Sequence, residues 1–188
     1  MKRRDFLRAG LVGPAAAAVA SGPGSNLQAA EKRAPVGKVD PDKLATEAIK
    51  HFLPGKRTCG EAIVMAGCDA LGIKSDLVPD IALGLAGGVG LQGKTCGCVT
   101  ASAMVLGLAV AAGESDYKKK KMRTLRAVGQ LYKRFEKRFG TTGCRKISGL
   151  DLTTPEGRKR LETVVKEAKC SQVVEAAARM LAEAIQTV

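Results

Sequence analysis

Helix boundaries are the plainest signal in this chain, and they leave little room for a sheet. Asp40 before Pro41 is an N-cap with proline at the first helical position, and Leu44, Ala48, Ile49 and Phe52 then make one apolar stripe. Pro54-Gly55 stops it. Thr58 with Glu61 three residues later is a capping box and predicts a helix to about Leu71. A short helical or irregular piece at 77–85 leads into Gly87-Gly88-Val89-Gly90, after which Thr95 is expected to cap a long apolar helix ending near Gly113. Ser115 opens the next helix and Gly140 closes it, with Leu125, Val128, Tyr132, Phe135 and Phe139 as its apolar stripe. Thr154-Pro155-Glu156 is a further cap-and-proline start, and Ser171 is expected to cap a last helix ending near Thr187. No segment alternates as a strand would. The pattern predicts an all-α, compact single-domain bundle of about six to seven helices.

Ahead of the first cap the chain reads differently. Lys2-Arg3-Arg4-Asp5-Phe6-Leu7 is the pattern of a twin-arginine export signal, followed by a short Gly/Ala-rich apolar stretch and the small residues of Ala18-Val19-Ala20. Residues 1–20 are therefore expected to be a signal peptide, 21–40 a flexible leader rich in Gly, Pro and Ala, and 41–188 the folded domain. The expected location is periplasmic, or otherwise outside the cytoplasm. Removing residues 1–20 still leaves about +10 of the net charge of +13 on the mature chain. The longest apolar run, 99–112, is shorter than the ~20 residues a membrane span needs and suits a buried helix.

The six cysteines sit in telling places. Cys59 follows Thr58, Cys96 follows Thr95, Cys144 follows Thr141-Thr142-Gly143, and Cys170 directly precedes Ser171. All four are expected at or beside helix N-termini, where unpaired N–H groups and the helix dipole favour a thiolate or an anionic cluster. Cys68 lies nine residues after Cys59, on the opposite face of the same helix, and reads as a small buried hydrophobe. Cys98 is two residues beyond Cys96, and the first turn of a helix leaves it able to reach the same site.

These neighbourhoods resemble the family of redox-active proteins named for its C_GCAxxG_C_C cysteine pattern, to which the split-Soret cytochromes look related. The likeness rests on Thr58-Cys59-Gly60-Glu61-Ala62 and on Gly87-Gly88-Val89-Gly90 with Gly93-Lys94-Thr95-Cys96-Gly97. It continues through Met104-Val105-Leu106-Gly107-Leu108, Cys144-Arg145, Leu150-Asp151-Leu152, Pro155-Glu156-Gly157-Arg158 and Cys170, covering roughly 45–186. The pattern carries over to Cys59, Cys96, Cys144 and Cys170. It is departed from at Cys98, where the family's CGAxxG segment has alanine, and at Ala101, where it has its second glycine. The resemblance implies a redox role, with an iron–sulfur cluster as the cofactor it suggests. The haem of the cytochrome relatives is not expected, since no C-x-x-C-H occurs and His51 is the only histidine.

From the residues alone, four thiolates can hold a [2Fe–2S] or [4Fe–4S] cluster, hold Zn²⁺, or form thiol–disulfide pairs. Zinc usually gathers closely spaced ligands, whereas the spacings here are 37, 48 and 26 residues. The first reading is an electron-transfer protein rather than an enzyme, with those four cysteines as ligands. The alternatives are a thiol–disulfide redox protein and a disulfide-stapled binding subunit.

Two other features attract attention. The run from Gly88 to Thr95 matches G-x-x-x-x-G-K-[ST], but a phosphate loop needs a preceding strand, and nucleotide binding is not expected. Its glycines are expected instead to bring backbone amides close to the cysteines, with Lys94 adding charge beside Cys96. The helix carrying Lys118, Lys119, Lys120, Lys121, Arg123, Arg126, Lys133, Arg134, Lys137 and Arg138 is a solvated face that suits an acidic redox partner. Export argues against nucleic acid as that partner, and a homodimer is compatible with so small a core. His51 reads as a helix-surface residue, and Asp69, Asp76, Asp80 and Asp151 read as caps.

Overall fold

The computed structural model describes residues 37–188. The expected signal peptide, and the leader up to residue 36, lie outside the described residues. At its end the leader is already part of the fold: Val39 is buried, and its carbonyl accepts a hydrogen bond from Gln186 Nε2 at 2.7 Å.

Seven α-helices follow: α1 (Pro41–Phe52), α2 (Cys59–Ala70), α3 (Gly97–Gly113), α4 (Tyr117–Phe139), α5 (Cys144–Ser148), α6 (Pro155–Arg160) and α7 (Ser171–Ile185). A 3₁₀ turn covers Asp80–Leu85, and no strand occurs among the described residues. The all-α expectation holds, and four of the seven starts carry a side-chain cap. Asp40 accepts from the amides of Asp42 and Lys43, Thr58 and Glu61 cap reciprocally, Asp116 accepts from Lys119, and Thr154 from Gly157. Gly140 closes α4 in the left-handed conformation, its N–H on the Glu136 carbonyl.

Packing follows hydrophobicity. α3 is apolar on every side and lies between α2, α4 and α7, while α7 also packs against α1. The main core takes Leu44, Ile63, Val105, Leu106, Leu131, Phe135, Val174 and Leu181, so small aliphatics do the work that aromatics do elsewhere. A second, smaller core gathers Cys144, Leu150, Leu152 and Val165.

Two expectations need correction. The buried stripe of α4 is Ala127, Leu131 and Phe135, while Leu125 is 57% exposed and Tyr132 is turned outward. Leu131 is buried in the main core, and Tyr132 instead places its hydroxyl 2.8 Å from Thr142 Oγ1. Ser171 opens no new helix turn from outside. Both Cys170 and Ser171 have right-handed helical dihedrals, and α6 runs into α7 through a π-helical segment, Leu161–Cys170. The Ser171 hydroxyl donates back to the Glu167 carbonyl rather than capping forward. Cys170 thus sits inside a continuous helical path.

Candidate metal centre

Two chain segments bring the cysteines together. Residues 87–94 fold as a glycine-rich loop in which Gly93 N–H bonds the Gly87 carbonyl and Lys94 N–H bonds that of Gly88. This loop is laid against the start of α5: Cys96 N–H donates to the Thr142 carbonyl at 2.7 Å, and Cys144 N–H to the Lys94 carbonyl at 2.7 Å. The two bonds fix Cys96 and Cys144 across one short antiparallel bridge. They also move the helix boundary by one residue, because Thr95 stands in the bridge opposite Gly143 and Cys96 becomes the N-terminal flank of α3. The amides of residues 89–94 donate to backbone carbonyls, so they form no cradle of the kind the G-x-x-x-x-G-K-T match would have needed.

The sulfurs of Cys59, Cys96 and Cys98 all lie within 4.8 Å of one another. Cys59 is the first residue of α2; Cys96 and Cys98 flank the first residue of α3, Gly97. That glycine is required, since a Cβ there would stand 2.7 Å from Cys59 Sγ. Cys98 therefore belongs to the group. Its place beside Cys96 in the first turn was the available signal, and what decides it is the crossing of α2 and α3.

Cys144 and Cys170 stand apart from this trio but face the same space. Cys59, Cys144 and Cys170 line a cavity of about 710 Å³, with Phe52, Leu91, Leu152 and Leu161 as apolar wall and Lys56, Arg57 and Lys166 among its polar lining. In the π segment, bonded i to i+5, Leu161, Lys166 and Cys170 recur at steps of five and four and reach one side. Gly88, at φ +72°, lets the loop close over this region: a Cβ there would meet Cys144 Cβ at 2.7 Å and the Lys94 carbonyl oxygen at 2.6 Å. Cys68 is buried in the main core, and His51 is largely covered, its Nε2 3.7 Å from Asp69 Oδ2.

The thiols differ in acidity for local reasons. Cys59 is held well below the ordinary thiol range by hydrogen bonds from the Cys96 and Cys98 thiols and from the Gly60 and Gly97 amides, against the opposing effect of burial. Cys96 and Cys98 are pushed well above it, chiefly by donating hydrogen bonds to Cys59. The most acidic thiol of the three is thus Cys59, not the Cys96 that Lys94 was expected to favour; Lys94 is exposed. Burial, then the charge of Cys59, lifts Cys144 to about 11. Burial and the charges of Cys59 and Cys144 lift Cys170 to about 12, against Lys166 and Lys169. The sites around them are firmly built: Arg57 pairs with the buried Glu61 at 3.3 Å, and Arg145 grips Asp151 through two bonds of 2.7 and 2.8 Å.

Residues 57–184 match the sequence model of the family described as "Putative redox-active protein (C_GCAxxG_C_C)". The chain belongs to this family. No curated protein and no solved structure matches it. The family span takes in every cysteine of the chain, together with the loop and helices that position them. Membership and geometry agree on the coarse statement: this is a redox-active family protein whose three clustered thiols can hold a metal ion.

Proposed function

We propose that this protein is exported by the twin-arginine route after folding and transfers single electrons through an iron–sulfur cluster held by Cys59, Cys96, Cys144 and Cys170. The observation that carries the reading is the meeting of five thiols from four separate segments around one site, three of them within 4.8 Å and two on the adjoining cavity. An all-sulfur donor set suits iron–sulfur clusters, zinc or Cu(I) among metals. When bound, the cluster would supply reversible one-electron chemistry.

The chain's own residues do the rest. The Gly60 and Gly97 amides donate to Cys59 Sγ and stabilise negative charge on it, as they would on a ligated sulfur. Cys98 adds a fifth sulfur beside the four proposed ligands. The apolar wall of Phe52, Leu91, Leu152 and Leu161 limits water, while Lys56, Arg57 and Lys166 offset charge.

A partner surface follows from α4. Its cations stand outward, with Arg123 paired to Glu114 and Arg134 to Glu183, and the others offer a positive face to an acidic redox protein. That face reaches the centre through two hydrogen bonds, Tyr132 to Thr142 and Cys96 to Thr142. Among the described residues no helix is long and apolar enough to cross a membrane.

Protein prepared without air tests the reading. Iron and sulfide in matching amounts, with absorption beyond about 400 nm, are the expected result. A colourless protein with no sulfide, or one carrying zinc alone, would sink it.

A further inference from the structure

Cys59, Cys96 and Cys98 are not equivalent. Cys59 alone of the three lines the cavity and is half-buried; Cys96 is 5% exposed and Cys98 0%, behind it. A sulfur open to an entering molecule, backed within 4.8 Å by sulfurs that molecule cannot reach, is the arrangement of an attacking thiol with a resolving one.

We propose that in the metal-free chain this group is a dithiol–disulfide couple: Cys59 attacks a small disulfide entering through the cavity, and Cys98 resolves the mixed disulfide. The Cys59 thiolate attacks one sulfur of R–S–S–R, forming Cys59–S–S–R and releasing R–S⁻. Cys98 then gives up its proton and attacks Cys59 Sγ, forming the Cys59–Cys98 bond and releasing the second R–S⁻. Two protein thiols are oxidised, one small disulfide is reduced to two thiols, and the protons leave with them or to water. Reversal by an excess of small thiol restores the couple.

Cys98 is the resolving residue on three counts. Cys96 stands at the bridge, its N–H on the Thr142 carbonyl, so a Cys59–Cys96 bond would load the segment that also positions Cys144, whereas Cys98 lies inside the first turn of α3. Cys96 and Cys98 have one residue between them at a helix start, a poor geometry for their own pairing. Gly97, lacking a side chain, leaves Cys59 Sγ clear of a Cβ beside Cys98. The cavity suits a small disulfide: Phe52 and Leu152 give an apolar wall, and the lining sets Lys56, Arg57 and Lys166 against Glu162 and Glu167, with Lys166 paired to Glu162 at 3.4 Å and Arg57 to Glu61 at 3.3 Å.

The experiment uses the full chain, stripped of metal with a chelator, reduced, desalted without air and given oxidised glutathione. Expected are two glutathiones released per chain and a Cys59–Cys98 crosslink in the peptide map. Cys98→Ala should release one and retain glutathione on Cys59; Cys59→Ser should release none. Wild-type protein that stops at the mixed disulfide, or closes Cys59 to Cys96 or Cys144 to Cys170 instead, overturns the proposal, as does a Cys98→Ala variant that still releases two. Circular dichroism shows whether each variant is folded, and should Cys98→Ala not be, the wild-type map and Cys98→Ser decide. Iron and sulfide counted on the same batch before chelation report separately on the electron-transfer reading.

Discussion

The cysteine trio and the outer pair occupy the same neighbourhood, yet they are made by different means. Cys59, Cys96 and Cys98 belong to the main core, where α2 and α3 cross with glycine between them. Cys144 belongs to the small second core, and Cys170 touches both. The trio is set by the crossing of α2 and α3, with the bridge to Thr142 holding Cys96. The pair is set by a glycine loop, a five-residue helix and a π-helical segment. A redox site built this way has two halves, one at a helix crossing and one in the segments that connect helices.

The largest expected effect comes from breaking the first half at its centre. Gly97→Ala places a methyl group 2.7 Å from Cys59 Sγ, so bound iron should fall to below about a tenth of wild type, with a stability loss of about 1–3 kcal/mol in urea titrations. Its counterpart in the second half is Gly88→Ala, which demands a left-handed conformation and meets Cys144 and the Lys94 carbonyl. It should cost roughly 2 kcal/mol or more and disturb Cys144 while the trio remains able to form its crosslink. Equal damage to both halves in the two variants would show that they are one unit.

Thiol reactivity sharpens the contrast more gently. In metal-free protein at pH 8, iodoacetamide should label Cys59 first, by peptide mass spectrometry. Cys144 and Cys170, lifted to about 11 and about 12, hold their protons below those values. Their thiolate fractions at pH 8 are therefore about one in a thousand and one in ten thousand, and labelling should rise about tenfold per pH unit until each value is passed. The smallest effect is expected at Cys68→Ser. A hydroxyl in the main core should cost about 1–2 kcal/mol while the iron content stays as in wild type.

Much of the fold could be read from single residues. Asp40-Pro41, the Thr58–Glu61 box, Gly140 and Thr154-Pro155 mark boundaries because a cap acts on amides three residues away, which sequence displays directly. Ser171 misled for the same reason: its hydroxyl has a carbonyl four residues back to satisfy it, and the absence of Gly or Pro from 158 to 188 was the better sign of an unbroken helix. At the site, Cys59, Cys96, Cys144 and Cys170 stood out by local position. The full membership of Cys98, the need for Gly97 and the bridge joining 94–96 to 142–144 did not, because each depends on contacts between segments tens of residues apart.

The sequence by itself determined the helices and the cysteines that stand near their ends, since caps, breakers and apolar spacing are local matters. Only the tertiary structure decided which sulfurs meet, which of them carries the charge and which opens to solvent. Those outcomes rest on the crossing of α2 over α3 and on amides and thiols converging on Cys59, and no stretch of the chain contains that convergence alone.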